Sequence, residues 1–417
     1  MAKLIVTGGT PLSGCCRVGG AKNAVLPILA ACVLTGQPVR LLDCPCLTDV
    51  ENMVRILVTL GCKVQRNGTM LAIDASGANC FEMPEPLSKE LRSSIFLLGP
   101  VLGRFRRAVV TYPGGCEIGN RPIDLHLKGL RQLGVEIREE GGRIYCNGER
   151  LVGADIHLDY PSVGATENIM MAAVSAEGST VIRNAAREPE IIDLQNFLRA
   201  VGYCVRGAGS STVVVDGGCV PRVAEFTVMP DRIVAGTLLV AGAITGGSLT
   251  VENVVAEHMA GMLAKLSESG CSITRSEHSI ALVAPKRPRE LKLVETLPHP
   301  GFPTDMQAQI FALCTVADGT SMIVENVFEN RFKHAQELNR MGAVSTVKGC
   351  TAVIRGVETL MGAHVTAHDL RGGAALVLAG LRAQGQTVVE DSGHIDRGYE
   401  RLDEMLINLG AQIKREE

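Results

Sequence analysis

A glycine recurs along this chain at intervals of 73, 68, 68, 72 and 68 residues, each time closing an amphipathic helical pattern and opening a short alternating strand. The six are Gly61 (TLGCKV), Gly134 (QLGVEI), Gly202 (AVGYCV), Gly270 (ESGCSI), Gly342 (RMGAVS) and Gly410 (NLGAQI). Six units of about 70 residues therefore account for all 417 positions, and self-similarity on that scale constrains the fold more than any single motif. A second marker runs with the first. An Ala/Leu-rich segment ends in Gly and passes into a β-rich one, as in AVLPILAACVLTGQPVRLLD, GTLLVAGAITGGSLTVEN and AALVLAGLRAQGQTVVED. Each reads as a buried helix, a glycine cap and a strand. A second helix follows, spaced like Met53, Ile56, Leu57 and Leu60, then a strand pair with turns such as RNGTM and EEGGR.

Each unit is thus two helices plus three or four strands. The first helix is apolar on nearly every side, which suits the inside of a fold rather than its surface. Six such helices with sheets around them predict an α/β (α+β) architecture turned inside out. The units exceed common solenoid repeats in length, which disfavours a solenoid. Length alone divides the chain into two or three domains, because single cores stop growing near 250–300 residues.

Composition narrows the function classes. Lys+Arg is 41 against Asp+Glu 44, a net charge of -3, so the chain lacks the basic excess of a general nucleic-acid binder. The 14 Cys form no CxxC pair and no Cys/His ligand cluster, so no metal site is expected. No secretory leader is visible, and the longest weakly polar run, 234–245, is too short to span a bilayer. A reducing cytoplasm is the expected location.

The residues that could do chemistry gather at breaks in the rhythm. Residues 111–122, TYPGGCEIGNRP, hold three Gly and two Pro and must be a loop, with Cys116 among small neighbours and Arg121 five residues on. A thiol beside a cation is a candidate reactive group; a structural loop cysteine is the plain alternative. Lys22 and Asn23, in GGAKNA, enter the first buried helix, where helix N–H groups and the Lys charge favour an anion. Arg92, Arg232 and Arg371 open other buried helices; Arg121, Arg331 and Arg397 lie in loops. A repeat that aims the same helix end at one centre would collect these cations around an anionic substrate. Some of them are expected to pair with carboxylates instead, and the adjacent pairs Asp231-Arg232 and Asp396-Arg397 invite it. Asp305, in FPTDMQ, is either a helix cap or a base, and Ser162-Val163-Gly164 is either a simple cap with Glu167 close behind or a backbone contact to ligand.

Taken in order, GGAKNA, LRSSIFLLGP, PGGCEIGNRPIDLH, PSVGATEN, AAREPEI, MPDRI, FPTDMQAQ, VFENRF and HIDRGYER resemble the enolpyruvyl transferase family, in its branch that acts on UDP-N-acetylglucosamine. The resemblance runs from about residue 3 to the C-terminus. It implies two domains of three repeats each, an inside-out α/β barrel with one discontinuous domain (1–20 plus 230–417), a second of 21–229 carrying the Cys116 loop, and an active site in the cleft between them. It implies transfer of the enolpyruvyl group of phosphoenolpyruvate to the 3′-hydroxyl of UDP-N-acetylglucosamine by addition and elimination, with release of phosphate and no cofactor, for peptidoglycan synthesis. By resemblance Cys116 is the proton donor and the site alkylated by fosfomycin, and Asp305 is the base. Lys22, Arg121 and Arg397 hold phosphate and carboxylate, with Arg92 nearby. Asn23, Arg121, Pro122, Ile123, Asp124, Leu125, Ser162, Val163, Gly164 and Val327 contact the nucleotide sugar. Tyr160 stands where some members carry a Lys, which puts diphosphate affinity in question. The rival within the family uses shikimate 3-phosphate and lacks the PGGC loop. A non-catalytic nucleotide-sugar-binding paralogue and a thiol redox sensor built on Cys116, Cys15-Cys16 or Cys44-Pro-Cys46 are the remaining alternatives.

Overall fold

The structure, a computed structural model, describes residues 2–112 and 123–416, without the side chains of Lys89 and Arg92. The six Ala/Leu-rich segments are helices: Lys22–Thr35 (α1), Leu98–Phe105 (α2), Val163–Ala173 (α3), Arg232–Thr245 (α4), Gln307–Thr315 (α5) and Leu370–Arg382 (α6). Every residue of α5 is buried, and every residue of α1 except Asn23. Burying one Leu or Ile side chain stabilises by about 1.5–3 kcal/mol, so helices of this composition belong in the interior.

The described residues divide into two compact units, one running up to Gly19 and from Pro230 onward, the other taking those between Gly20 and Met229. In the second unit α1, α2 and α3 pack on one another; in the first, α4, α5 and α6 do. Three sheets clothe each trio among the described residues, five of the six sheets being four-stranded and one three-stranded. Their strands alternate, as in Ser248–Glu252, which buries Leu249 and Val251 and turns Ser248 and Glu252 outward. This is the inside-out arrangement, with helices at the centre and half-exposed sheets around them.

One wiring pattern repeats. A short strand, a buried helix and a parallel strand form a crossover, as in Asp155–His157, α3 and Ser179–Arg183, or His364–Thr366, α6 and Gln386–Glu390. An antiparallel hairpin completes each sheet. In the three-stranded sheet the missing fourth strand is reduced to a bridge between Glu82 and Val109. The sixth hairpin is made by the two ends of the chain, Lys3–Thr7 pairing with Gln412–Glu416. Two strands are separated from their usual helix: Ser13–Arg17 pairs parallel with Ser248–Glu252, and Ala224–Thr227 with Pro38–Leu42.

The marker glycines have one conformational cause. All six have φ between +90° and +103°, where an L side chain is strained. Glycines of positive φ also follow the buried helices, as the caps of α1 and α4 at Gly36 and Gly246 and in the turns after α3, α5 and α6 at Gly178, Gly319 and Gly385. The second unit in sequence departs from this pattern, because Arg106 takes the left-handed position after α2 at φ 61° and donates to the Ser175 carbonyl at 2.9 Å. Among the described residues no helix is long and apolar enough to cross a membrane, and no group of His, Cys, Asp and Glu could hold a metal ion.

Candidate active site

Lys22 is the first residue of α1, whose N-terminus has no side-chain cap. Its ammonium lies 2.6 Å from Asp49 Oδ2, and both side chains are under a tenth exposed. Asp49 sits in the first turn of the helix Thr48–Thr59, so two successive helices of one repeat place a cation and its counter-ion at the same end. No motif marks Asp49 in the sequence.

The N-terminal turn of α3 carries Ser162, Val163 and Gly164. Ser162 is a cap, its Oγ accepting from the Ala165 N–H at 3.3 Å. Glu167 takes no part in a capping box: it is fully buried and neither carboxyl oxygen has a hydrogen-bond partner among the described residues. Burial, reinforced by Glu190 and Glu188, pushes its carboxyl well above the usual range and so favours the neutral form. Next to it Asn168 is also fully buried and joins three segments. It accepts from the Gly99 N–H (2.8 Å), donates to the Ile95 carbonyl (2.9 Å) and meets His126 Nδ1 (2.8 Å). The turn Arg92–Leu97, the helix Asp124–Gln132 and α3 are thereby drawn together. Arg92 opens that turn, while Ile123 is buried, Asp124 exposed and Leu125 half-buried at the start of its helix. Cys116, Arg121 and Pro122 lie outside the described residues, as does the Arg92 side chain.

In the other unit Asp305 occupies the turn Thr304–Met306 leading into α5. Its Oδ1 lies 2.8 Å from Arg331 and its Oδ2 3.1 Å from Arg371. Both guanidinium groups are nearly fully buried, whereas Asp305 keeps a quarter of its side chain exposed. Two buried cations fix the carboxylate's plane. Burial disfavours the charged form of Arg371, and Asp305, then Tyr399 and Asp231, more than offset it. Arg371 also stacks on the Tyr399 ring at 5.2 Å. The Tyr399 hydroxyl is in turn 3.0 Å from both Thr237 Oγ1 and Gln309 Nε2. Arg397, half-buried, lies two residues before this anchored tyrosine.

Glu325 is a hub that the sequence does not advertise. It is 2% exposed and accepts from Thr296 and Thr304 hydroxyls at 2.8 and 2.9 Å. It also accepts from the Val327 and Phe328 N–H groups at 2.9 and 3.1 Å. One carboxylate thus sets both the turn bearing Val327 and the residue beside Asp305. Its only sequence signal is the VEN that begins with the last residue of the strand Thr320–Val324.

Of the two adjacent pairs, Asp396-Arg397 is corrected, because Asp396 is bound elsewhere. Asp231 caps α4 through the Ile233 and Val234 N–H groups (2.8 and 3.0 Å). Asp396 is held bidentately by Arg415 at 2.8 and 2.9 Å, not by Arg397 next to it. Arg331 and Arg371 reach across the fold to Asp305, and Arg232 lines a small cavity with His258, His299 and Met306. Helix-end residues do converge, as the repeat suggests: Asp305 before α5 and Arg371 at the start of α6 are in contact.

Comparison with known proteins now places the chain. The family described as EPSP synthase (3-phosphoshikimate 1-carboxyvinyltransferase) matches residues 6–406. A solved relative, the enolpyruvyl transferase NikO from Streptomyces tendae, superposes with a TM-score of 0.89 at 26% identity, covering 99% of this chain and 98% of that one. EPSP synthase from Acinetobacter baumannii shares the fold at a TM-score of 0.77 and 18% identity. The chain belongs to this family of carboxyvinyl (enolpyruvyl) transferases. Among its relatives, a protein of Caldanaerobacter subterraneus subsp. tengcongensis called UDP-N-acetylglucosamine 1-carboxyvinyltransferase 2 is 52% identical over 415 residues, all of both chains. One of Symbiobacterium thermophilum, UDP-N-acetylglucosamine 1-carboxyvinyltransferase 1, is 52% identical over 99% of this chain and 95% of its own.

Proposed function

We propose that this enzyme transfers the enolpyruvyl group of phosphoenolpyruvate to the 3′-hydroxyl of UDP-N-acetylglucosamine, with release of phosphate, as the first committed step of peptidoglycan synthesis in the cytoplasm. The observation that carries this is the full-length identity of about one half to relatives that bear that activity in their names, against 18% to a shikimate-pathway member. Asp305 accepts the proton of the attacking hydroxyl, whose oxygen bonds to C2 of phosphoenolpyruvate, while Cys116 delivers a proton to C3. Phosphate then leaves C2 as a proton is lost from the new methyl group, which restores the C2–C3 double bond and leaves the product as an enol ether. Lys22, Arg92, Arg121 and Arg397 hold the phosphate and carboxylate and stabilise the charge that develops. Asn23, Pro122, Ile123, Asp124, Leu125, Ser162, Val163, Gly164 and Val327 contact the nucleotide sugar.

The test is phosphate release from phosphoenolpyruvate with each acceptor in turn. Release is expected with UDP-N-acetylglucosamine and not with shikimate 3-phosphate; the reverse would move the chain to the other branch, and no release with either would indicate a binding paralogue. Cys116→Ser is expected to lose fosfomycin labelling and most activity. Full labelling of that variant would transfer the reactive role to another thiol.

A further inference from the structure

Two cysteines fifteen positions apart in the sequence meet at the edge of one sheet. Cys204 begins the edge strand Cys204–Arg206 and stands directly opposite Asp216, the last residue of Thr212–Asp216. The chain then turns back, and Cys219 Sγ lies 3.9 Å from the Asp216 carbonyl. The residues that follow run against the turn that precedes Cys204. The Arg222 N–H donates to the Val201 carbonyl at 2.9 Å and the Arg222 side chain to the Ala200 carbonyl at 3.0 Å. A Cβ built on Gly202 would lie 2.8 Å from the Val220 carbonyl. These contacts bring Cys219 beside Cys204, whose side chain and backbone N–H both act on its thiol.

Both thiols are free, and the pair is open to reagents. Val205 is buried, so the alternation of the strand turns Cys204 outward, where it is exposed. Cys219 is half-buried against the core, and Val220 and Val223 just beyond it are exposed. The Cys204 side chain, ahead of burial, holds the Cys219 thiol above its usual value. A reagent therefore meets Cys204 first, and Cys219 keeps its proton until a partner sulfur is presented. The pairs conspicuous in the sequence suit this less. Cys15 and Cys16 are consecutive in the strand Ser13–Arg17, so their side chains turn to opposite faces, and Cys44 is buried.

We propose that Cys204 and Cys219 are a modification site, a dithiol that a small-molecule disulfide of the glutathione type converts reversibly into an intramolecular disulfide. The Cys204 thiolate attacks one sulfur of the small disulfide, whose S–S bond breaks and releases one thiolate, leaving a mixed disulfide on Cys204. Cys219 gives its proton to water and attacks the Cys204 sulfur. The mixed bond breaks, the second thiolate leaves, and the Cys204–Cys219 bond forms. Two protein thiols are oxidised and the small disulfide is reduced to two thiols. The new bond braces the segment that leads through Ala224–Thr227 to Met229, after which the chain passes into the other unit. In a reducing compartment such a bond is transient, which suits a sensor rather than a permanent staple. None of this rests on the nucleotide-sugar reading.

The test uses the full-length enzyme, reduced and then incubated with oxidised glutathione. Peptide mapping after alkylation of the remaining thiols is expected to give linked peptides containing Cys204 and Cys219, lost again after dithiothreitol. Cys219→Ser cannot close the link and should retain glutathione on Cys204. The linked enzyme should unfold roughly 5 °C above the reduced enzyme, a rise missing from Cys219→Ser treated alike. Wild-type thiols that stay free, or that each carry a glutathione without closing, would overturn the site. Linkage of either cysteine to a different one would overturn the pairing. A linked enzyme with the midpoint of the reduced one would overturn the bracing.

Discussion

Lys22 Nζ and Asp49 Oδ2 are 2.6 Å apart, and neither side chain reaches a tenth of its possible exposure. The Lys at the head of α1 is thus held in place by a carboxylate 27 positions along the chain. Breaking a buried pair from one side strands the other charge and costs about 3–5 kcal/mol, whereas replacing both by apolar groups is often neutral. Lys22→Met and Asp49→Leu are each expected to lower the urea midpoint clearly. The double variant should recover stability and yet release no phosphate from phosphoenolpyruvate. Recovery of activity as well would remove Lys22 from the catalytic set.

Asp305 is held by Arg331 at one carboxylate oxygen and by Arg371 at the other. Asp305→Asn keeps an acceptor of the same shape and removes the base. A fall in kcat of roughly 10²–10⁴-fold is expected, the usual contribution of a positioned base. Calorimetric binding of UDP-N-acetylglucosamine should persist, because the acceptor oxygen remains. A kcat within ten-fold of wild type would reduce Asp305 to an anchor for the two arginines.

Tyr399 links the Asp305 cluster to the segment bearing Arg397, through Arg371 on its ring and Thr237 and Gln309 at its hydroxyl. In Tyr399→Phe the ring stays but the Gln309 and Thr237 groups lose a partner in a fully buried site, a cost of about 1–3 kcal/mol. Thermal denaturation should report that loss, and KM for phosphoenolpyruvate should rise with it. An unchanged KM would show that Arg397 is placed independently of this anchor.

Asp193 supplies a pH dependence. Burial pushes its carboxyl from 3.8 up to about 7, with the Met229 N–H opposing and Glu190 adding. A carboxyl whose folded value is raised contributes its stability fully below 3.8 and loses it as pH rises through about 7. Asp193→Asn retains an acceptor for Met229 and cannot ionise. Its stability relative to wild type should therefore increase between pH 4 and pH 8, on the order of a few kcal/mol at 1.36 kcal/mol per unit. Equal offsets in urea midpoint at both pH values would show that Asp193 ionises as freely in the folded protein as in the unfolded chain.

The sequence by itself determined the parts. Six glycines at a steady interval mark six chain reversals because φ near +90° to +103° is a local requirement, satisfied or not within a few residues. The buried helices were legible for the same kind of reason: segments such as 232–245 and 307–315 are apolar all round, and only an interior can take them. The motif order, too, pointed to the family and to Asp305, Lys22 and Ser162. Tertiary structure alone decided who meets whom. Asp396 has Arg397 beside it and binds Arg415; Asp305 takes Arg331 and Arg371; Asn168 finds His126 across 42 positions. Hydrogen bonds and ion pairs depend on separation in space, and neighbouring residues project their side chains in different directions, so adjacency in the sequence is a poor guide to them. Asp49, Glu325 and Asn168 have no motif of their own, and only the folding of the repeats brings each within 3 Å of its partner.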